Sequence, residues 1–172
     1  MRGSRVVLRP VVARDRARLR EILAEPEVAR WWGPGPVDGS VDELYDESVV
    51  SFAIEVEGQV VGAVQYAEED DPDYRHAGID VFLSAAAQGR GLGRDAVRTL
   101  ARYLLDVRGH HRLTIDPSAA NERAIRAYGA VGFRPVGVMR QYERGHDGTW
   151  HDGLLMDLLA GELREEQVEP EP

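Results

Sequence analysis

The chain contains no cysteine, no lysine and no long apolar run. The absence of cysteine excludes disulfide bonds, thiolate zinc sites, iron–sulfur clusters and cysteine nucleophiles. The absence of lysine excludes Schiff-base catalysis and a phosphate-binding loop that closes with Gly-Lys-Ser or Gly-Lys-Thr. No apolar stretch approaches the ~18–20 residues that cross a bilayer, and the first ten residues lack the apolar stretch of a secretory signal. We therefore expect a soluble, cytoplasmic protein with no membrane partner.

Basic residues are scarce relative to acidic ones, with 21 Lys and Arg against 30 Asp and Glu and a formal net charge of −9. Because nucleic-acid binding depends on an excess of positive charge, a nucleic-acid partner is not expected. A negative surface attracts cations such as polyamines and amino sugars instead. The length of 172 residues suits a single domain, which we place at residues 1–160. The acidic segment 161–172 is predicted to be a disordered tail.

The periodicity of apolar residues predicts an α/β domain with a mixed sheet and the element order βααβββ, αβα and ββ. Strands are predicted at residues 5–11, 52–56, 60–66, 78–84, 112–116, 133–141 and 153–159. Helices are predicted after a cap at Asp15, around Trp31 and Trp32, and at residues 41–48, 91–107 and 121–131. The acidic run 68–73 is predicted to stay solvated or to meet a cationic ligand. His110 and His111 are predicted to lie at the surface, and no metal site is predicted.

The segment from Gln88 to Gly93, Gln-Gly-Arg-Gly-Leu-Gly, lies between a predicted strand and a predicted helix. Glycines let the backbone turn tightly and expose successive N–H groups, and a helix N-terminus adds a favourable dipole. Together these features predict an anion site suited to a pyrophosphate, with Arg90 and Arg94 as cationic contacts. A dinucleotide fingerprint is not present, because Arg94 stands where its third glycine would be.

The pattern Q-x-x-G-x-G from Gln88 to Gly93 resembles the motif with which the GNAT superfamily of N-acetyltransferases holds acetyl-coenzyme A. Asn121, Ala124 and Tyr128, followed by Gly132-Phe133, are similar to its second signature. The resemblance covers residues 5–159 and implies a GNAT fold, with a mixed, mostly antiparallel sheet of about seven strands flanked by about four helices. It implies acetyl-CoA as co-substrate, held by Phe82, Leu83, Gln88, Gly89, Arg90, Gly91, Leu92, Gly93, Arg94, Asn121 and Ala124.

Three shorter segments resemble one group within that superfamily, the aminoglycoside 6′-N-acetyltransferases: Gly78-Ile79-Asp80, residues 116–121 (Asp-Pro-Ser-Ala-Ala-Asn) and Trp31-Trp32-Gly33. This resemblance implies acetyl transfer to an amine of an aminoglycoside, conferring resistance. An acceptor with several ammonium groups calls for ionised carboxylates and for aromatic walls against its rings. The candidate substrate-binding residues are Trp31, Trp32, Asp71, Tyr74, Asp80 and Asp116.

Direct transfer without an acyl-enzyme is expected, because the chain has no cysteine and shows no Ser-His pairing. Asp80 is the candidate to bind the acceptor ammonium and to take its proton, directly or through water. The family resemblance implies that a backbone N–H of residues 81–83 polarises the thioester carbonyl. It also implies that Tyr128 protonates or hydrogen-bonds the departing thiolate.

Structural interpretations of these residues stay open at this point. Asp116 before Pro117 could cap the next helix, Asp80 could face solvent, and the tryptophan pair and Tyr128 could belong to the core. Three polar residues near the end of the chain either edge the acceptor site or form a turn, namely Asp147, His151 and Asp152.

The acceptor is open as well, because the loop 66–77 is shorter than is usual in the 6′ group and has only Tyr74 as an aromatic residue within it. Acetylation at a 2′ amine of a kasugamycin-like antibiotic is one alternative. A polyamine, a siderophore precursor and a protein N-terminus are others, and a non-catalytic acyl-CoA-binding regulator is a further one. Both a monomer and a homodimer are compatible with the sequence.

Overall fold

The computed structural model describes residues 1–32, 37–145 and 147–165. Within them it contains one sheet of seven strands and five α-helices. The strands are β1 (Val7–Pro10), β2 (Val50–Val56), β3 (Gln59–Glu69), β4 (His76–Leu83), β5 (Arg112–Ile115), β6 (Arg134–Arg144) and β7 (Trp150–Leu159). The helices are α1 (Arg16–Leu23), α2 (Pro26–Ala29), α3 (Val37–Glu43), α4 (Leu92–Asp106) and α5 (Glu122–Val131). No helix in these ranges is long and apolar enough to cross a membrane.

The strand order in the sheet is β1-β2-β3-β4-β5-β7-β6. All neighbouring strands are antiparallel except β4 and β5, which are parallel. The predicted mixed, mostly antiparallel sheet is therefore confirmed, with one helix more than the approximate number expected. At the predicted turn between β2 and β3, Glu57 and Gly58 have φ of 52° and 78°. Two positive φ angles in a two-residue turn match the twist of a hairpin.

Helices cover both faces of the sheet, and successive residues of a strand point to opposite faces. Val64 and Ile79 pack in the larger core, together with residues of α4 and α5. Ala63 and Phe82 pack in the smaller core, together with residues of α1, α2 and α3. Because Asp80 stands two residues before Phe82, it lies on the same face as α1, α2 and α3.

The one parallel strand pair is short. β4 and β5 pair only at Ala77 with Leu113 and at Gly78 with Thr114, although β4 continues to Leu83. On its other side β4 pairs with β3 along its whole length. Within the described ranges, the rest of β4 therefore has no strand partner on the side of β5, and a cleft opens between the two strands.

The first helices begin differently from the prediction. Asp15 does not cap α1 through its side chain. Its carboxylate instead accepts hydrogen bonds from Arg9 at 2.6 Å and from the backbone N–H of Val12 at 2.9 Å. The tryptophan pair follows α2 in a turn, and α3 begins at Val37, four residues earlier than expected. Gly33, part of the Trp31-Trp32-Gly33 segment, lies outside the described residues.

The acidic run 68–73 is partly built into the sheet, because β3 extends to Glu69. Glu68 binds Arg108 at 2.8 Å and the Nε2 atom of His110 at 2.6 Å. His110 is buried, so its predicted surface position is wrong. The prediction that the whole run is solvated or bound by a ligand is also wrong at Glu68. We call Glu68, Arg108 and His110 the Glu68 cluster.

The first residues beyond β7 are held against the two long helices. The N–H of Arg164 donates to the carbonyl of Val131 at 2.9 Å, and its own carbonyl accepts from Arg98 at 2.9 Å. Glu162 pairs with Arg134 at 3.0 Å. The last carbonyls of a helix lack partners within the helix, which explains why the chain is bound at the end of α5. A disordered tail from residue 161 is therefore wrong for 161–165, and 166–172 lie outside the described residues.

Candidate active site

A cavity of about 800 Å³ lies where β4 and β5 separate. Its walls come from residues 79–83 of β4 and residues 115–118 at the end of β5. The first turns of α4 and α5 line it on one side, and α2 and α3 line it on the other. The short pairing of β4 with β5 thus leaves this cavity open beside the loop from Gln88 to Gly93.

The loop before α4 lines this cavity with its glycines. Gly89 and Gly91 have φ of 77° and 78°, in the left-handed region that side chains disfavour. Gly91 is the N-cap residue of α4, and Gly89, Gly91, Gly93 and Arg94 all line the cavity. A helix N-terminus, exposed N–H groups and a guanidinium together suit a pyrophosphate.

The side chain of Gln88 supports the loop from within the site. Its Nε2 atom donates to the carbonyl of Leu83 at 2.9 Å, and its Oε1 atom accepts from Arg123. Two predicted residues of this loop do not line the cavity: Arg90, whose carbonyl accepts from Arg5, and Leu92, which is buried in the larger core. Gln88 therefore ties the loop to β4 and α5, and the cavity-facing groups of the loop are those of its glycines and Arg94.

Helix α5 adds the residues of the second motif. The Oδ1 atom of Asn121 accepts from the N–H of Ala124 at 3.1 Å, which caps the helix, and both residues line the cavity. Asp116 is therefore not the cap of this helix, and it also lines the cavity. Arg123 and Arg126 in the first turns of α5 line the cavity with Arg94. This half of the cavity, the donor half, is positively charged.

Five carboxylates line the opposite half of the cavity, which we call the acceptor half. They come from five parts of the chain: Glu27 in α2, Glu43 in α3, Asp80 in β4, Asp116 after β5 and Glu143 in β6. Asp80 and Asp116 belong to the segments singled out in the sequence, whereas Glu27, Glu43 and Glu143 do not. No local motif marks these three, because only the folded chain brings α2, α3 and β6 together.

Asp80 has the environment of a candidate base. Water in the cavity reaches its carboxylate, while protein encloses it on the other sides. Burial and, next, the charge of Asp116 raise its pKa to about 6, against a smaller opposing effect of a hydrogen bond from Gln65. Gln65 is its direct partner on β3. A carboxylate with this pKa is ionised at neutral pH and binds a proton more readily than an ordinary aspartate.

Two tyrosines stand near these carboxylates. Tyr128 is half-buried, lines the cavity and packs edge-on against Phe133 with ring centroids 6.4 Å apart. Burial, followed by the charges of Asp80 and Asp116, raises its pKa, so the phenol keeps its proton. A hydrogen bond to Asp116 raises the pKa of Tyr142 to about 12. Both side chains are therefore proton donors at neutral pH.

Both tryptophans line the acceptor half. Trp32 also packs edge-on against Phe82, with ring centroids 4.9 Å apart, and thereby belongs to the wall and to the smaller core at once. The guanidinium of Arg30 lies 4.4 Å from the ring centroid of Trp31. An aromatic face that already stacks on one cation is chemically suited to contact another.

Two predicted acceptor residues lie outside the cavity. Asp71 and Tyr74 form a turn between β3 and β4, with the Tyr74 N–H donating to the Asp71 carbonyl at 3.0 Å. Tyr74 is 74% exposed. A strand rises about 3.3 Å per residue, so roughly 13 Å of β4 separates His76 from Asp80. Closeness along the sequence therefore does not bring this turn into the site.

Comparison with known proteins identifies the family. The profile of the acetyltransferase (GNAT) domain matches residues 5–134. An aminoglycoside N(6′)-acetyltransferase type 1 from Klebsiella pneumoniae is 34% identical over 155 residues, covering 78% of this chain and 76% of that protein. A spermidine N(1)-acetyltransferase from Escherichia coli K12 is 24% identical over 172 residues, covering 96% of this chain and 91% of that protein.

A solved structure supports the same assignment. AAC(6′)-Ib in complex with paromomycin and acetyl-CoA superimposes with a TM-score of 0.73 at 29% identity, covering 91% of this chain and 94% of that one. The glycine loop, the start of α4 and the arginines of the donor half fit the anionic part of acetyl-CoA. The chain belongs to the GNAT family of acetyltransferases, whose acetyl donor is acetyl-coenzyme A.

Proposed function

We propose that the enzyme transfers the acetyl group of acetyl-CoA directly to an amine of an aminoglycoside. The observation that carries this proposal is the charge division of the cavity, with Arg94, Arg123 and Arg126 in the donor half and five carboxylates in the acceptor half. An anionic donor and a polycationic acceptor would each meet charge of the opposite sign. Similarity to the aminoglycoside N(6′)-acetyltransferase supports the choice of acceptor class.

The number of carboxylates favours an acceptor with several ammonium groups. A single amine needs one carboxylate, whereas the charge of Asp116 adds to the effect of burial in raising the pKa of both Asp80 and Glu143. Three carboxylates this close together would hold neighbouring ammonium groups. Glu27 and Glu43 lie across the acceptor half on α2 and α3. Trp31 and Trp32 would contact the faces of sugar rings between these charges.

Acetyl-CoA would be held by backbone N–H groups and by Arg94, Asn121 and Ala124. The N–H groups of the loop 88–93 and of the start of α4 would bind the pyrophosphate, supplemented by Arg94. Asn121 and Ala124 would contact the pantetheine arm. Among the described residues, the edge of β4 beyond Gly78 has no strand partner on the side of β5. An N–H of residues 81–83 on this edge would donate to the thioester carbonyl.

Proton transfer would involve Asp80 and Tyr128. Asp80 would bind the acceptor ammonium and accept its proton, directly or through a water molecule, so that the neutral amine attacks the thioester carbonyl. As the tetrahedral adduct collapses, the carbon–sulfur bond breaks and Tyr128 would donate a proton or a hydrogen bond to the departing thiolate. The raised pKa of Tyr128 keeps that proton available at neutral pH.

The test is release of free coenzyme A thiol from acetyl-CoA in the presence of single amines. The panel is kanamycin, tobramycin, gentamicin, kasugamycin, spermidine and a peptide with a free N-terminus. We expect the highest kcat/KM with one of the aminoglycosides, and nuclear magnetic resonance of the product then distinguishes a 6′ from a 2′ acetyl group. Expression in a susceptible bacterium would show whether the activity confers resistance.

Polyamine acetylation is the second candidate, favoured by similarity to the spermidine acetyltransferase over 96% of this chain. Turnover of spermidine with none of the aminoglycosides would replace the first proposal with this one. Tight binding of acetyl-CoA without turnover of any amine would favour a non-catalytic acyl-CoA-binding protein.

A further inference from the structure

We propose that Asp152 is a positioning residue for the acceptor half: it joins the loop after Asp116 to the bulge of β6 that carries Tyr142 and Glu143. The proposal rests on the proposed function, because it concerns the same carboxylates. None of the sequence motifs includes Asp152, and its side chain does not line the cavity. Its role follows from the hydrogen bonds that its side-chain carboxylate and its backbone carbonyl accept.

The bulge is an irregularity in the pairing of β6 with β7. Met139 lies opposite Gly153 and Glu143 lies opposite His151, so three residues of β6 face Asp152 alone. The middle one, Gln141, has a φ of 51°, which is unfavourable for a residue with a side chain. Bulges commonly redirect side chains beside active sites. Such a conformation persists only where the surrounding structure holds it.

Asp152 supplies that support from the opposite strand. Its Oδ1 atom accepts a hydrogen bond from the backbone N–H of Gln141 at 2.8 Å. Its backbone carbonyl accepts from the N–H of Ala119 at 2.8 Å, and the next contact along the strand joins the N–H of Leu154 to the carbonyl of Pro117 at 2.9 Å. One residue therefore binds the bulge through its side chain and the Asp116 loop through its backbone.

The two parts joined by Asp152 meet again at the site. Tyr142 lies within reach of Asp116, whose carboxylate raises the pKa of its phenol. The Tyr142 ring lies over Gly153, where an added Cβ would stand 2.8 Å from the Tyr142 Cδ1 atom. Glu143 lines the cavity and lies close enough to Asp116 for that charge to affect its titration. These contacts form a closed ring. It runs from Asp152 through the bulge to Tyr142, on to Asp116, and back through the loop after Asp116 to Asp152. Opening it at Asp152 would free Tyr142 and Glu143 to move relative to Asp116.

The test compares Asp152→Ala and Asp152→Asn with Asp157→Asn as the matched control. Asn keeps an oxygen that can accept from Gln141, whereas Ala does not. Asp157 is on the same strand, but its carboxylate binds Arg112 at 3.0 Å. With kanamycin, or with the panel amine of highest kcat/KM, we expect Asp152→Ala to raise the acceptor KM about five- to tenfold. A change of this size corresponds to the loss of one hydrogen bond. The KM for acetyl-CoA should not change, and Asp152→Asn and Asp157→Asn should stay within about twofold of wild type.

A second readout needs no acceptor. In Asp152→Ala the amide of Gln141 should exchange hydrogen faster, and the pKa of Tyr142, followed by nuclear magnetic resonance, should fall towards its ordinary value as the bond to Asp116 loosens. If no panel amine is acetylated by the wild type, the proposed function fails, while these two changes still support the link made by Asp152. Unchanged Gln141 exchange and Tyr142 titration in Asp152→Ala would overturn the proposal. An acceptor KM equal to that of wild type, or an equal rise in both KM values, would overturn it too.

Discussion

Glu68 and Asp80 lie on adjacent antiparallel strands, β3 and β4, yet their carboxylates have opposite environments. Glu68 is paired within the protein, where hydrogen bonds from Arg108 and His110 lower its pKa. Asp80 is enclosed without an ion-pair partner among the described residues, and burial and the charge of Asp116 raise its pKa to about 6. The first carboxylate is neutralised by its own chain. The second is left for a cation that arrives from solution.

In the described part of the chain, the carboxylates near Asp80 also lack ion-pair partners, whereas other carboxylates of the surface have them. Within residues 1–32, 37–145 and 147–165, Asp116 and Glu143 likewise have no ion-pair partner within 4 Å, whereas the ordinary surface pairs, such as Arg16 with Asp42, are satisfied. Uncompensated carboxylates destabilise a folded chain, and a protein retains them where they bind something. The Glu68 cluster is therefore satisfied within the protein, whereas the carboxylates of the acceptor half are the ones that the proposed function assigns to the substrate.

The largest expected effect comes from removing the charge of Asp80. Asp80→Asn keeps the size and polarity of the side chain but cannot accept a proton at neutral pH, so kcat should fall by about 100-fold or more. The measurement is steady-state thiol release with the best amine of the panel. The dissociation constant for acetyl-CoA, measured by calorimetry, should stay within about twofold of wild type, because the donor half is untouched.

Glu68→Gln is the matched variant on the neighbouring strand, and its kcat should equal that of wild type. Equal losses of kcat in both variants would mean that the contrast between the two carboxylates has no catalytic meaning. Normal turnover by Asp80→Asn would remove Asp80 from the mechanism.

Glu68→Gln should instead reduce stability. The variant weakens the three hydrogen bonds that the Glu68 carboxylate makes with Arg108 and His110, and it turns an amide NH₂ towards groups that also donate. We expect the free energy of unfolding to fall by about 2 kcal/mol, measured by urea denaturation at neutral pH. Glu69→Gln, one residue further along β3 and exposed, should change it by less than about 0.5 kcal/mol. A loss of the same size in both variants would contradict a specific role for the Glu68 cluster.

The glycine loop and Asn121 could be predicted from the sequence, whereas Arg123, Arg126 and most of the acceptor half could not. The loop from Gln88 to Gly93 is one continuous segment, and its function depends on backbone N–H groups whose placement follows from local glycines and a helix start. The acceptor half is assembled from side chains of five separate elements. Their chemistry is ordinary in the sequence, and only the separation of β4 from β5 gives them a common cavity.

The errors have similar physical causes. His110 stands at a turn, which favours exposure, but β3 extends far enough for Glu68 to bind its buried ring. Asp71 and Tyr74 are near Asp80 in sequence, but the intervening strand is extended and carries them away from the cavity. The turn position of His110 and the closeness of Asp71 and Tyr74 to Asp80 in sequence were read correctly. The length of a strand nevertheless decided where each residue lies.

The pH dependence of the reaction sharpens the comparison further. Asp80 must be ionised to take a proton, and its pKa of about 6 means that it is protonated at lower pH. The kcat/KM for the acceptor should therefore fall about tenfold for each pH unit below about 6. Binding of acetyl-CoA measured over the same range serves as the control and should stay nearly constant. A flat acceptor profile between pH 5 and 7 would show that Asp80 is not the group that must lose its proton.

The smallest expected effect is a change in the free energy of unfolding caused by Asp80→Asn. It is a gain, whereas Glu68→Gln is expected to cause a loss. The pKa of Asp80 is raised on folding from 3.8 to about 6, so the folded state binds more protons than the unfolded state between these values. This group's contribution to stability is therefore highest at low pH and falls as the pH rises through about 6. Asp80→Asn removes that unfavourable contribution. Because water in the cavity screens the carboxylate, we expect a gain of only about 1 kcal/mol in the free energy of unfolding at pH 7 and none near pH 4. Urea denaturation of wild type and variant at both pH values measures it, and a destabilised variant at pH 7 would mean that Asp80 is paired in the folded protein after all.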